Sequence, residues 1–421
     1  MTSSVLGPSA VEGPRSQRLV RTLSLTVFLQ WLGASAIIPM LPEYIRHRGG
    51  SDTLAGLVMA AFFAAGVLFQ YPAGRLADRI GRRPVLLAGL VAYGVASVAF
   101  LAPIGPVADV GLRALQGVGA GAAEVAALAM VSGAVASERR GRAFASIYGG
   151  QIAGMAVGPL IGSIMGVNLM WVVFLGAGVA SVAACVPAYL TTEHRRAVHS
   201  AIPGGAPRPR GAARGRVHLN RALVGSLLAA ATLGLTTGVY EICWTLLLHK
   251  RGATDWEIGL SWTLFAVPFV LMAGPSGWLA DHVDRRRLVL GGLVLSVALC
   301  ATYPFLPDVP LLVALGGLEA MGFAIALPAV QSLLTQASIA SEFGRVQGMF
   351  STSQTAATAL SAAAGGALFS LAAWAPFVTV AVMGALLIAA IAIVWASVRG
   401  RVRQPLDAGS APSHDRSIAF R

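Results

Sequence analysis

Apolar residues run along this chain in long, nearly unbroken stretches, separated by short clusters of arginine, glycine and proline. "LSLTVFLQWLGASAIIPML" (Leu23–Leu41) and "FVTVAVMGALLIAAIAIVWASV" (Phe377–Val398) are each long enough to cross a bilayer, which takes about 20 helical residues. Breaking the pattern at its polar clusters predicts twelve spans. Six fall near residues 20–43, 53–74, 84–105, 108–135, 144–166 and 170–190. Six more fall near 221–248, 256–280, 287–306, 311–335, 345–371 and 375–398.

Composition removes the alternatives to a membrane protein. Of 421 residues, 56% are hydrophobic and 12% charged, whereas a soluble domain carries roughly 25% charged residues and needs them to cover its surface. The first apolar run is longer than a signal-peptide core and is expected to stay as the first span. Cys185, Cys243 and Cys300 sit inside apolar runs at no metal or redox spacing and are expected to be packing thiols.

Charge then orients the spans. The net charge is +13, but the arginines cluster between apolar runs, which argues against nucleic-acid binding. With the N-terminus on the inner side, 26 of the 31 Lys and Arg fall in inner segments. The outer loops hold Arg46, Arg48, Lys250 and Arg251, and Arg113 lies within a span. That bias places both termini in the cytoplasm.

The two halves repeat. "RGGSDTLAGL" (Arg48–Leu57) returns as "RGATDWEIGL" (Arg251–Leu260), 203 residues later, and "GRLADRIGRRPVLL" (Gly74–Leu87) returns as "GWLADHVDRRRLVL" (Gly277–Leu290) at the same offset. "GLRA" at Gly111 is matched by "GLEA" at Gly317. Parallel six-helix repeats imply an all-α fold of two bundles related by a pseudo-twofold axis along the membrane normal, with a substrate site between them near the midplane. The expected organisation is a cytoplasmic arm (1–19), a first bundle (20–190), a basic Pro/Gly-rich linker (191–220), a second bundle (221–398) and a cytoplasmic tail (399–421).

These motifs resemble a known family. "GRLADRIGRR" resembles the signature loop of the major facilitator superfamily, with "GWLADHVDRRR" as its echo, and "RALQGVGAG" resembles the family's fourth-helix motif. "GGQIAGMAVGPLIG" (Gly149–Gly162) resembles the antiporter motif of drug:proton exporters. The resemblance implies that the loop residues Gly74, Asp78, Arg79, Gly81, Arg82, Arg83, Gly277 and Asp281 gate the cytoplasmic side. It further implies that Gly150, Gly154, Gly158, Pro159 and Gly162 seal the bundle, and that spans one, four, seven and ten line a central cavity. Asp78 is expected to meet the positive N-terminal end of span eleven, near Gly344 and Arg345, when that side is closed. Three departures stand out. Asp284 replaces the loop glycine, Ala145 and Ser163 stand where the fuller antiporter motif has glycine, and span one lacks a central acid.

Few ionisable residues lie well inside the spans: Arg113 and Glu124 in span four, Glu241 in span seven and Glu319 in span ten. Such residues are costly in hydrocarbon, by about 2.5–3.5 kcal/mol on insertion scales, and mark transport pathways by default. All four fall on the cavity-lining set that the resemblance implies. Arg113 and Glu124 share a helical face but lie about 16 Å apart along the axis. Glu319 stands where Arg113 stands in the first half, so the two are expected to pair across the cavity when its outer mouth closes. No histidine or lysine lies within a span, which leaves Glu124, Glu241 and Glu319 as proton carriers with Arg113 as counter-charge. Gln30, Trp31, Gln116, Glu124, Tyr240 and Glu241 are the expected substrate contacts, whereas Trp244 and Trp262 are assigned to the interfacial aromatic belt.

"GVGAG" (Gly117–Gly121) lies inside a span with no preceding strand, so it is not a nucleotide fingerprint. With no P-loop, metal cluster or nucleophile triad, no cofactor, metal or enzymatic activity is expected. The resulting expectation is a proton-coupled exporter of amphiphilic or cationic small molecules in a bacterial plasma membrane, acting as a monomer. The alternatives are a symporter or a specific metabolite exporter of the same fold, or a non-transporting membrane scaffold.

Overall fold

The structure, a computed structural model, describes residues 14–135, 140–191, 219–272, 275–337 and 343–396. Most of the arm and the linker, and the whole tail, therefore lie outside the described residues. The first half contains α1 (Pro14–Ile37), α2 (Leu41–His47), α3 (Asp52–Ile80), α4 (Arg82–Ala99), α5 (Ala108–Ala134), α6 (Arg140–Met165), α7 (Met170–Ala183) and α8 (Cys185–Thr191). The second contains α9 (Arg221–Val239), a π-turn (Tyr240–Trp244), α10 (Thr245–Lys250), α11 (Asp255–Leu271), α12 (Pro275–His282), α13 (Arg285–Thr302), α14 (Val309–Ala337), α15 (Phe343–Leu371) and α16 (Ala375–Trp395).

Described helix occupies most of each of the twelve predicted ranges. Ten of the described helical stretches are long and apolar enough to cross a membrane on composition alone. The eighth predicted span is divided into α11 and α12, and the eleventh, α15, carries a run of Ser, Thr and Gln that lowers its hydropathy.

Local chemistry sets the joints. The Ser51 hydroxyl accepts from the Leu54 amide at 3.2 Å and starts α3. Gly81, at φ +103°, ends it and begins α4, a backbone geometry open to glycine. The repeated loop solves the same joint differently. Asp284, at φ −59°, accepts from the Arg286 amide at 3.0 Å and caps α13. The exchange of glycine for aspartate therefore does change the second loop.

Two close helix pairs hold the bundles. A Cβ at Gly150, Gly154, Gly158 or Gly162 would fall within 2.7 Å of the backbone of α1, at Ser24, Phe28, Leu32 and Ala36 in turn. The glycine ridge of α6 is thus the groove in which α1 lies, the small-residue packing expected in lipid. In the second half, Gly234 and Gly238 of α9 meet the Gln354 and Thr358 carbonyls of α15 in the same way.

The cores tell how the bundles meet. At the end that carries the termini, each bundle has its own core, one around Leu23, Leu86 and Ala127 and the other around Leu233, Val330 and Phe350. At the opposite end one core spans both halves, joining Ile37, Met40, Val58 and Phe174 to Leu246, Leu247, Leu248 and Ile258. Two small-residue contacts seal that end. Gly56 of α3 lies against Ala362 and Gly366 of α15, and Gly259 of α11 lies against Pro159 and Ser163 of α6. The 203-residue offset turns Gly56 into Gly259 and Ser163 into Gly366, so the two contacts are one contact repeated about the pseudo-twofold.

Candidate substrate cavity

Three helical segments position the charged residues: α5, the π-turn and α14. Arg113, on α5, is 2% exposed. Its Nη1 donates to Gln116 Oε1 at 2.8 Å, Gln116 Nε2 donates to Ser97 Oγ at 2.8 Å, and the guanidinium lies over the Phe62 ring at 4.6 Å. The close approach of α5 to α3 is set by Gly117, where a Cβ would collide with the Phe62 carbonyl. Arg113 Nε finds no hydrogen-bond partner among the described residues.

Glu241 sits in the π-turn of the seventh predicted span and is buried. Its Oε2 is also without a hydrogen-bond partner among the described residues. The charges of Glu241 and Arg113 reach one another across the bundle interface, although no ion pair within 4.0 Å joins them. Glu319, on α14, is surrounded instead by hydroxyls. Tyr240 donates to its Oε1 at 2.9 Å, Ser296 to the same oxygen at 2.5 Å, and Tyr303 to Oε2 at 2.7 Å. The expected Arg113–Glu319 pairing is not formed: three neutral donors from its own bundle already occupy Glu319, and the carboxylate within electrostatic reach of Arg113 is Glu241.

A cavity opens beside the second-half carboxylates, with Tyr240, Glu241, Trp244, Trp262, Glu319 and Phe323 in its walls. Trp244 and Trp262 therefore belong to the cavity and not to the interfacial belt. The reason is geometric: Trp244 is 7% exposed, packs edge-on to Tyr240 and Tyr303, and donates its Nε1 to Ser261 Oγ at 2.9 Å. Trp262 Nε1 is buried without a hydrogen-bond partner among the described residues.

The remaining sequence candidates lie outside this cavity's lining. Gln30 is 4% exposed on α1 with its Nε2 unpartnered among the described residues, and Trp31 packs against the core between the bundles. Gln116 is fully buried behind Arg113. Glu124 is half-buried further toward the termini, within electrostatic reach of Tyr148. In the loop motif, Asp78 and Arg79 are exposed, and Asp78 makes no hydrogen bond or ion pair with a described residue. Arg82 donates to the Ala129 carbonyl, and Arg83 donates to the Tyr189 carbonyl at 2.7 Å while stacking on that ring. Gly277 and Asp281 fall within α12, but their side chains lie outside the described ones.

Sequence reasoning missed Ser261, Ser296 and Tyr303, which hold the cavity's polar groups, and the sealing residues Gly56, Gly259 and Gly366. The repeat carried a signal for the seal, since Gly56 and Gly259 are conjugate positions within it. A buried ion pair at the far end was also missed: Arg48 Nη1 meets Asp109 Oδ1 at 3.1 Å and ties the first outer loop to the start of α5.

Comparison with known proteins identifies the family and the fold. The pattern of the Major Facilitator Superfamily matches residues 23–242 and again residues 223–418. The chain is 27% identical over 366 residues to the class E tetracycline resistance protein of Escherichia coli, covering 82% of this chain and 85% of that one. It is 29% identical over 347 residues to the multidrug resistance protein MdtG of Dickeya zeae, covering 76% and 82%. Among solved structures it shares its fold with a bacterial homolog of the human lysosomal transporter Spinster in an inward-facing, occupied conformation. The TM-score is 0.72 at 14% identity, over 92% of this chain and 98% of that one.

Proposed function

The chain belongs to the Major Facilitator Superfamily, and on that premise we propose that it is a twelve-span, proton-coupled exporter of amphiphilic or cationic drugs. It works by alternating access of two bundles, 20–190 and 221–398, in a bacterial plasma membrane, as a monomer with both termini in the cytoplasm. The similarity to tetracycline and multidrug resistance proteins supports the substrate class. The excess of arginine in the segments on the termini side supports the orientation. In that orientation the shared core lies at the outer end and the separate cores at the cytoplasmic end, so the described state is open to the cytoplasm.

The observation that carries the reading is Glu241: a buried carboxylate with an unpartnered oxygen, on an aromatic-walled cavity, within electrostatic reach of the arginine of the other bundle. A carboxylate so placed binds a cation or a proton but is not already committed to another side chain, which is what exchange requires. Differential contacts of this kind bias a two-state equilibrium. Glu124 offers a second carboxylate on the cytoplasmic side. Asp78, exposed in this state, is free to meet the start of α15 when that side closes.

Efflux of a fluorescent cationic dye from cells expressing the protein tests the proposal. Export that stops when an uncoupler is added is expected. Uncoupler-insensitive export would remove the proton coupling, and net accumulation of the dye would favour a symporter.

A further inference from the structure

The two carboxylates on the cavity wall of the second half have opposite surroundings. Glu319 accepts hydrogen bonds from three hydroxyls, those of Tyr240, Ser296 and Tyr303, and both of its oxygens are in use. Glu241 receives none at Oε2. Between them the backbone leaves α geometry, since Tyr240–Trp244 is a π-turn. Such turns are rare and collect at functional sites, and this one needs something to hold it.

Two side chains of the turn itself supply the hold. Tyr240, its first residue, donates to Glu319 on α14, and Trp244, its last, donates to Ser261 on α11, each at 2.9 Å. Both acceptors are themselves fixed. Ser261 Oγ donates to the Ile258 carbonyl at 2.7 Å, and Ser296 and Tyr303 brace Glu319 from α13 and the short turn at its C-terminal end. Glu241 lies inside the pinned segment. The titratable or charged groups around it and Glu319 are Arg113 from α5 with Tyr93 of α4 behind it, and Tyr240, Cys300 and Tyr303 on the second-half side. Just past the turn, the Thr245 hydroxyl is buried and unpartnered among the described residues. Thr232, Thr236 and Thr237 of the same span each donate to a carbonyl three or four residues back. The corresponding carbonyls for Thr245 are those of Glu241 and Ile242, both within the π-turn, and its hydroxyl reaches neither.

We infer that Ser261 and Glu319 are positioning residues of the transport site: they pin the two ends of the π-turn and so fix Glu241 in the cavity wall. Glu319 is then an anchor and not a proton carrier. Release of either pin lets the turn relax toward α geometry, which rotates α10 by about one residue, about 100°. That helix carries Leu246, Leu247 and Leu248, part of the core that closes the outer end. The pins thereby connect the placement of Glu241 to the outer seal.

Only the transport arm of the test rests on the proton-coupled reading. In that arm, the pH profile of dye efflux is compared for Glu241→Gln, Glu319→Gln and Ser261→Ala. Glu241→Gln is expected to flatten the profile. Glu319→Gln and Ser261→Ala are expected to keep a profile but displace its midpoint, with Ser261→Thr restoring the original. The inference is overturned if Glu319→Gln flattens the profile as Glu241→Gln does, or if both pin variants keep the wild-type midpoint. The second arm is independent of coupling: backbone amide exchange of the purified protein over residues 240–250. Both pin variants are expected to speed it severalfold, while Glu241→Gln leaves it unchanged, and unchanged exchange in both pin variants overturns the inference. A wild-type profile without pH dependence refutes the proton coupling and leaves the exchange arm to decide the pins.

Discussion

Arg113 shows what one residue contributes here. Its charge is buried, yet it is held by a glutamine, an aromatic face and the field of a carboxylate from the other bundle. A lysine offers neither the planar fork nor the stacking surface. Arg113→Lys is therefore expected to lower efflux about tenfold or more while the protein still folds, measured as the initial rate of dye export at equal membrane expression. Glu124→Gln and Glu241→Gln are each expected to abolish uncoupler-sensitive export without loss of thermal stability; wild-type export in both would show that the carriers lie elsewhere. The burial of Arg113 and Glu241 was legible because a charge in an apolar run has few explanations. Trp244 and Trp262 were not, since a tryptophan near a span end reads equally as belt or cavity. Ser261 carried no signal, because a lone serine in a membrane helix is ordinary packing material.

Among the elements, α6 gives the sharpest contrast. A methyl at Gly162 would meet the Ala36 backbone, whereas one at Gly149 finds nothing within 4 Å. Gly162→Ala is expected to destabilise the protein by about 1–3 kcal/mol through overpacking. Gly149→Ala should be neutral or slightly stabilising, since alanine favours the helix by up to about 1 kcal/mol. Thermal unfolding in detergent compares the two directly. The joint before α13 makes a second prediction. The Arg286 side chain beside Asp284 holds its carboxyl below the usual aspartate range, so the stability it contributes is present above the unfolded pKa and fades as pH falls through the folded one. Asp284→Ala is expected to cost about 1 kcal/mol at neutral pH, and the difference from wild type should shrink in acid. The four-residue period of the glycines was readable, but not its partner α1, because a ridge does not name its groove. The π-turn left no trace in "YEICW": two helices on other parts of the chain impose it through Ser261 and Glu319.

At the scale of the molecule, the repeat predicted two related bundles, and the seal shows what the relation does. Gly56–Gly366 and Gly259–Ser163 are the same contact made twice. A Cβ at Gly366 would fall 2.2 Å from the Asp52 carbonyl, and valine adds two methyls to it. Gly366→Val is therefore expected to disfavour outer closure and raise access of an impermeant thiol reagent to a cysteine placed at Leu247, at least severalfold over the wild-type background. Unchanged labelling would show that the glycine contact does not govern closure. The topology was legible because apolar length and arginine bias are properties of the chain alone. The open side was not, since which cores merge depends on contacts between residues three hundred positions apart.

The pairing of arginines at the outer end has an electrical consequence. Arg46 is bound by Asp52 at 2.5 and 2.9 Å, and Arg48 by the fully buried Asp109. Arg46 is shared with a second carboxylate, Glu43, at 3.6 Å, whereas Arg48 and Asp109 pair one to one and travel as a neutral unit. A membrane potential does work on net charge that moves, about 2.3 kcal/mol per elementary charge per 100 mV, so it does almost none on the Arg48–Asp109 pair as the first bundle rocks. Voltage dependence of the transport cycle is then left to what crosses the cavity and to the charges within the spans, Arg113, Glu124 and Glu241, with little contribution from this part of the gate.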